Sequence, residues 1–100
     1  MDRSRSDQLP MVRARIVISG WVQGVSFRAS AREVAHAQRL SGWVRNRMDR
    51  AVEAVVEGET DAVQAFIAWC HEGPPGAQVT NVQITMEPYA GDFQRFRIVG

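Results

Sequence analysis

The hydrophobic pattern of this chain changes between period two and period 3.6 in an order that few folds satisfy. From Val12 to Ile18 every second residue is apolar, which predicts a half-buried strand. From Ser26 to Arg39 apolar residues recur at helical spacing, which predicts an amphipathic helix with Ser26 as its N-cap. A second helix opens at Thr60 and is ended by the Gly-Pro-Pro-Gly segment 73–76. Further strands are predicted over Gly42–Arg47, Ala51–Glu57, Val79–Met86 and Phe93–Val99.

The resulting order is βαββαβ with one candidate extra edge strand. Alternating hairpins and crossovers of this kind predict an α+β fold, a ferredoxin-like sandwich in which two helices cover one face of an antiparallel sheet. Because this architecture hosts many unrelated functions, the fold alone does not identify an activity.

The size and composition of the chain are those of one soluble domain. It has 100 residues, of which 45% are hydrophobic and 23% are charged. We expect residues 1–10 to form a disordered tail, because they hold nothing that could anchor a core, and residues 11–100 to form the domain. No apolar stretch suits a secretory signal or a membrane helix, and Cys70 is the single cysteine. A cytoplasmic location is therefore expected.

The charges are unevenly distributed along the chain although the net charge is only +1. Arginines are concentrated in the first half and acidic residues in the second half. If neighbouring strands come from both halves, this asymmetry cancels in space. A three-residue turn after the second strand would place Arg45 opposite Glu53 as a favourable pair, so Arg45 and Arg47 are expected to be strand charges.

Several common chemistries lack the residues that they require. Cys70 lies on the apolar face of its helix and has Gly76, not arginine, six positions later, so a core cysteine is expected. His36 and His71 have no partner at metal-binding spacing. The 73–76 segment matches a GXXG loop in letters only, because its two prolines lack the N–H groups that clamp a nucleic acid. No nucleotide P-loop occurs.

The segment Gly20–Arg28, GWVQGVSFR, carries the strongest chemical signal. It lies between a predicted strand and a predicted helix, and its two glycines permit the backbone to turn its N–H groups inward as an anion-binding nest. The helix N-terminus would add further unpaired N–H groups. Arg28 falls in the first turn, where its guanidinium suits a phosphate group.

This segment resembles the first signature of the acylphosphatase family, G-x-V-Q-G-V-x-F-R. The sequence Gly-Trp-Val-Arg-Asn at 42–46, followed by Val52 and Gly58, is similar to the second signature. The resemblance extends from about Val12 to Val99. It implies the same βαββαβ fold and an enzyme that hydrolyses acyl phosphates to a carboxylate and inorganic phosphate.

The resemblance also implies roles for particular residues. Backbone amides of the loop and Arg28 hold the phosphoryl group, and Asn46 positions the attacking water; the amides are those of Trp21, Val22, Gln23, Gly24 and Val25. No metal and no cofactor take part in the family's mechanism. We expect a monomer acting on a small acyl phosphate, with no nucleic-acid or membrane partner. The alternative is a non-catalytic ferredoxin-like module that binds nucleic acid or a protein.

Three residues near the loop need separate predictions. The family signature has glycine where this chain has Arg50, at the turn position that often adopts the left-handed conformation. The side chain of Gln23 is interpreted as structural, holding the loop by hydrogen bonds. Trp21 either packs at the rim of the loop or shapes the acyl pocket.

Overall fold

A computed structural model of the chain describes residues 10–100. The tail predicted over residues 1–10 therefore lies almost entirely outside the described residues. Pro10 is described, and its carbonyl oxygen accepts hydrogen bonds from the N–H and the hydroxyl of Thr60. The elements are β1 (Met11–Trp21), α1 (Phe27–Ala37), β2 (Ser41–Asn46), β3 (Val52–Glu59), α2 (Thr60–Cys70), β4 (Gln78–Glu87) and β5 (Phe96–Ile98).

The five strands form one sheet in the order β4-β1-β3-β2-β5. The predicted α+β ferredoxin-like fold is confirmed, with both helices on one face of the sheet. The pairs β1–β3, β1–β4 and β2–β3 are antiparallel, as predicted, but β5 lies parallel to β2 at the far edge. An entirely antiparallel sheet was therefore wrong for this last strand.

The segment 88–95 explains both the direction and the short length of β5. It crosses the sheet, and the backbone N–H groups of Ala90 and Gly91 donate to the Glu57 carboxylate at 2.8 and 3.1 Å. The end of β4 and the start of β2 lie at the same end of the sheet. A chain that crosses from β4 to the β2 edge and then reverses direction therefore runs parallel to β2. The strand predicted from Phe93 starts only at Phe96, and β1 continues three residues beyond Ile18 to Trp21, whereas the other predicted strand boundaries lie within two residues of the observed ones.

The helix-covered face of the sheet forms the apolar core. Alternate residues in the middle of β1, Ala14, Ile16 and Ile18, face the helices and are fully buried, as period two predicts. Phe66 of α2 packs against Phe96 of β5 with ring centroids 5.9 Å apart, which joins the last strand to the core. Cys70 is buried there as predicted, and burial raises the pKa of its thiol. Neither helix of residues 10–100 is long and apolar enough to cross a membrane.

The opposite side of the sheet, here called the open face, carries the charges. The predicted pair is present: Arg45 Nη2 lies 2.7 Å from Glu53 Oε1, in the predicted register. Arg15 also binds Glu53, at 2.7 Å. Burial alone would raise the pKa of Glu53, but the hydrogen bonds from Arg45 and Arg15 outweigh it and hold that pKa below its usual range. The asymmetry of charge along the chain thus cancels across neighbouring strands, as predicted.

Candidate active site

Near the end of β1, the chain turns toward α1 at a glycine that no other residue can replace without a backbone shift. Gly20 has φ +123°, and an added Cβ would lie 2.2 Å from the carbonyl oxygen of Gln78 on β4. The pairing of β1 with β4 also shifts register between Ser19 and Gly20. This irregularity bends the chain out of the sheet and into the loop.

The loop enters α1 through a left-handed residue. Ser26 has φ 63° and ψ 28°, and its hydroxyl makes no capping hydrogen bond. The prediction of a side-chain N-cap at Ser26 was therefore wrong, because a cap normally requires an extended backbone at that position. Instead, the carbonyl oxygen of Ser26 accepts the first helical bond, from Ser30.

As a result, the backbone donors around this turn remain open. Within residues 10–100, no N–H from Gln23 to Ala29 donates a hydrogen bond to another described residue. Gly24, with φ +79°, and Ser26 turn this backbone back on itself. Adjacent donors at a helix N-terminus are the arrangement that binds anions.

A pocket of 420 Å³ lies against these donors and brings the two signature motifs together. Arg28 reaches it from the first turn of α1, and Asn46 reaches it from the end of β2. Its lining is completed by Val22, Gly24, Ser26, Phe27, Ala29 and Ile98. Residues 18 positions apart in sequence thus share one site because β2 runs beside the N-terminus of α1.

The remaining residues of the predicted site lie around this pocket. Trp21 and Gln23 line a neighbouring pocket of 200 Å³, together with Arg50. The indole of Trp21 is 67% exposed, so it lies at the rim of the loop. Val25 lines neither pocket.

The Gln23 side chain fixes the loop to the β2–β3 turn. Its Nε2 donates to the carbonyl oxygens of Arg47 and Ala51 at 2.9 and 3.0 Å. The predicted structural role of this side chain is confirmed. Since Asn46 directly precedes Arg47, the same bonds set the position of the loop relative to Asn46.

Arg28 is the charged group of the pocket. It is half-buried, and no carboxylate of residues 10–100 lies within 4.0 Å of it. Nearby Arg47, in contrast, is paired with Asp49 at 2.9 Å. The guanidinium of Arg28 is therefore available to an anion in the pocket. The described residues contain no cluster of His, Cys, Asp and Glu side chains that could hold a metal ion.

Four residues of the pocket wall were not among the predicted site residues: Ser26, Phe27, Ala29 and Ile98. Ser26 was assigned to the helix cap, and nothing in the local sequence indicates that it adopts the left-handed conformation. Ile98 reaches the pocket only because segment 88–95 crosses the sheet, and that path depends on the buried Glu57 carboxylate. No local pattern in the sequence signals such a crossing.

Comparison with known proteins places this geometry in one family. The acylphosphatase family model matches residues 14–98. An acylphosphatase from Aeropyrum pernix is 56% identical over 89 residues, which cover 88% of each chain. One from Pyrobaculum arsenaticum is 53% identical over 92 residues, covering 91% of this chain and 97% of the relative.

The fold agrees with that of a solved acylphosphatase structure. The crystal structure of acylphosphatase from Bacillus subtilis superposes with a TM-score of 0.86 at 37% identity, covering 89% of this chain and 99% of that one. The described strands, both signature motifs and these relatives agree along nearly the whole domain, and the chain belongs to the acylphosphatase family.

Proposed function

We propose that this chain is an enzyme that hydrolyses acyl phosphates to a carboxylate and inorganic phosphate. The observation that carries the proposal is the single pocket shared by open loop donors, Arg28 and Asn46. In this proposal the amides of Trp21 to Val25 and the Arg28 guanidinium hold the phosphoryl oxygens. Asn46 orients the attacking water.

The donors around the loop suit the charge of the transferring group. Phosphoryl transfer passes through a loose transition state with negative charge on the equatorial oxygens. Fixed N–H groups and a guanidinium stabilise that charge without reorganising during the reaction. Arg28 also provides two parallel donors, which match two phosphoryl oxygens.

The leaving group explains why so few side chains suffice. Water adds to phosphorus as the bond from phosphorus to the acyl oxygen breaks, and the acyl group leaves as a carboxylate. A carboxylic acid has a pKa of about 4, so the leaving group needs no proton donor. The water requires orientation more than deprotonation, and the carbonyl oxygen of Asn46 accepts a hydrogen bond from it. The proton that the water loses passes to the phosphate product or to solvent.

The same reasoning sets the substrate range. The leaving group of a phosphomonoester is an alkoxide or phenoxide, and its departure is assisted by a general acid that the pocket does not provide. Acyl phosphates are therefore the favoured class, and no metal or cofactor is required. We propose in addition that the chain acts as a cytoplasmic monomer without a nucleic-acid or membrane partner.

The proposal is tested by the hydrolysis of benzoyl phosphate in the presence of EDTA, with p-nitrophenyl phosphate as the comparison substrate. We expect fast turnover of the acyl phosphate and little turnover of the ester. Absence of benzoyl phosphate hydrolysis by folded protein would overturn the proposal and favour the non-catalytic module. Equal turnover of both substrates would overturn the leaving-group argument.

A further inference from the structure

A second pocket lies next to the candidate active site at the edge of the sheet. It has a volume of 420 Å³ and lies between α1 and β5. Ile98 forms part of the wall of both pockets. The other lining residues are Arg32, His36, Arg95, Phe96 and Arg97. We call this pocket the basic groove.

The basic groove has positive charge that the described chain does not neutralise. None of its lining residues is acidic, and no carboxylate of residues 10–100 lies within 4.0 Å of Arg32. Arg97 pairs with Trp43 in the sheet, so its side chain is directed to the open face. Three arginines of the open face differ from Arg32, because Arg13, Arg15 and Arg45 each bind a glutamate there. A groove lined by one sign of charge attracts ligands of the opposite sign.

The groove is aligned with the phosphoryl pocket by the geometry of α1. Arg28 and Arg32 are four residues apart, so they lie on the same side of the helix and about 6 Å apart along its axis. His36 follows one turn later, and its Nε2 lies 3.3 Å from the carbonyl oxygen of Phe96. That contact joins α1 to β5 at the far end of the groove, so the two walls are fixed relative to each other.

We infer that the basic groove binds a second anionic group carried by the acyl chain of the substrate. The preferred substrates are then acyl phosphates whose acyl chain ends in an anion about one helical turn, roughly 5–6 Å, from the phosphoryl group. Arg32 recognises that anion while Arg28 holds the phosphoryl group. This inference rests on the proposed function, since it assigns the acyl end of the same substrate.

Two substrates with acyl chains of equal length test it. Succinyl phosphate ends in a carboxylate, whereas butyryl phosphate ends in a methyl group. We expect the ratio of their kcat/KM values to favour succinyl phosphate in the wild-type chain. Arg32→Gln should lower that ratio about fivefold, mainly through KM, and added NaCl should lower it further, whereas Arg97→Gln on the open face should leave it within twofold.

Arg39→Gln is the matched control, because it removes the same charge from an exposed position at the other end of α1. We expect its ratio to stay within twofold of wild type. A ratio that Arg32→Gln leaves unchanged would overturn the groove, while hydrolysis of butyryl phosphate would still uphold the proposed function. A chain that hydrolyses neither substrate would overturn both.

Discussion

The loop between β1 and α1 and the turn between β2 and β3 use the same unusual backbone conformation for different purposes. Each holds a non-glycine residue in the left-handed region, Ser26 with φ 63° in the loop and Arg50 with φ 75° in the turn. In the turn the donors are used internally: Arg47 N–H binds Ala51 O, and Arg50 N–H binds Arg47 O. In the loop the donors from Gln23 to Ala29 have no described acceptor.

This difference shows that strain alone does not mark a functional site. A left-handed residue costs on the order of 1 kcal/mol in either place. The turn uses that conformation to close a hairpin, whereas the loop uses it to direct donors at a pocket. The Gln23 side chain joins the two regions, so the open loop takes its position from the closed turn.

The largest expected effect comes from removing the charge beside the open donors. Arg28→Ala should lower kcat/KM for benzoyl phosphate by about a thousandfold, because the amides alone would remain to stabilise the phosphoryl charge. The free energy of unfolding should change by less than about 0.5 kcal/mol. Steady-state kinetics and urea denaturation measure the two quantities. Arg39→Ala is the control at the far end of α1, and an equal loss of activity there would contradict the role of Arg28.

Asn46 tests the water-positioning side of the pocket. Asn46→Ala should lower kcat by about a hundredfold and leave KM within about threefold, since the side chain is proposed to bind water and not the phosphoryl group. Inhibition by inorganic phosphate should persist in this variant. The control is Asn81→Ala, an exposed asparagine on β4. A loss expressed in KM alone would refute the assignment.

Gln23 tests the connection between the two regions. Gln23→Ala should lower kcat/KM about tenfold and the free energy of unfolding by about 1–2 kcal/mol, because two hydrogen bonds to the turn are lost. Gln83→Ala, on the exposed side of β4, controls for the loss of an amide. If activity is unchanged while stability falls, the loop does not depend on the turn for its position.

The turn itself is expected to gain stability from the residue that the family signature has there. Arg50→Gly should raise the free energy of unfolding by about 0.5–1 kcal/mol, because glycine adopts φ 75° without a Cβ clash. Met48→Gly in the same turn is the matched control and should not stabilise, since Met48 does not have a positive φ. Denaturant titration of both variants measures the difference. A gain of the same size in Met48→Gly would show that the left-handed conformation of Arg50 carries no strain.

The smallest expected effect is a dependence of turn stability on pH. The N–H of Ala51, together with Arg47, holds the pKa of Asp49 below its usual range. The ionised carboxylate therefore stabilises the folded chain fully above the ordinary Asp pKa of about 3.9, and this contribution is lost as pH falls through the lowered folded value. Asp49→Asn should melt slightly below wild type at neutral pH, and the two melting temperatures should converge in acid. A gap that stays constant with pH would contradict this.

Local signals in the sequence determined much of this protein. Three features depend only on neighbours in the chain: the alternating residues of β1, the helical spacing of α1 and the turn that contains Arg50. The corresponding elements and the Arg45–Glu53 register were therefore predictable. The two signature motifs likewise identified Arg28 and Asn46 as partners, and the fold places both at one pocket.

Contacts between distant segments set which donors and charges remain available. Whether an N–H or an arginine is paired depends on the acceptors that distant segments bring to it, as Glu53 and Glu57 are brought to the open face. The parallel direction of β5 depends in the same way on a crossing held by the buried Glu57 carboxylate. The open loop donors, the unpaired Arg28 and the basic groove beside β5 therefore follow from contacts between distant parts of the chain, which local spacing does not encode.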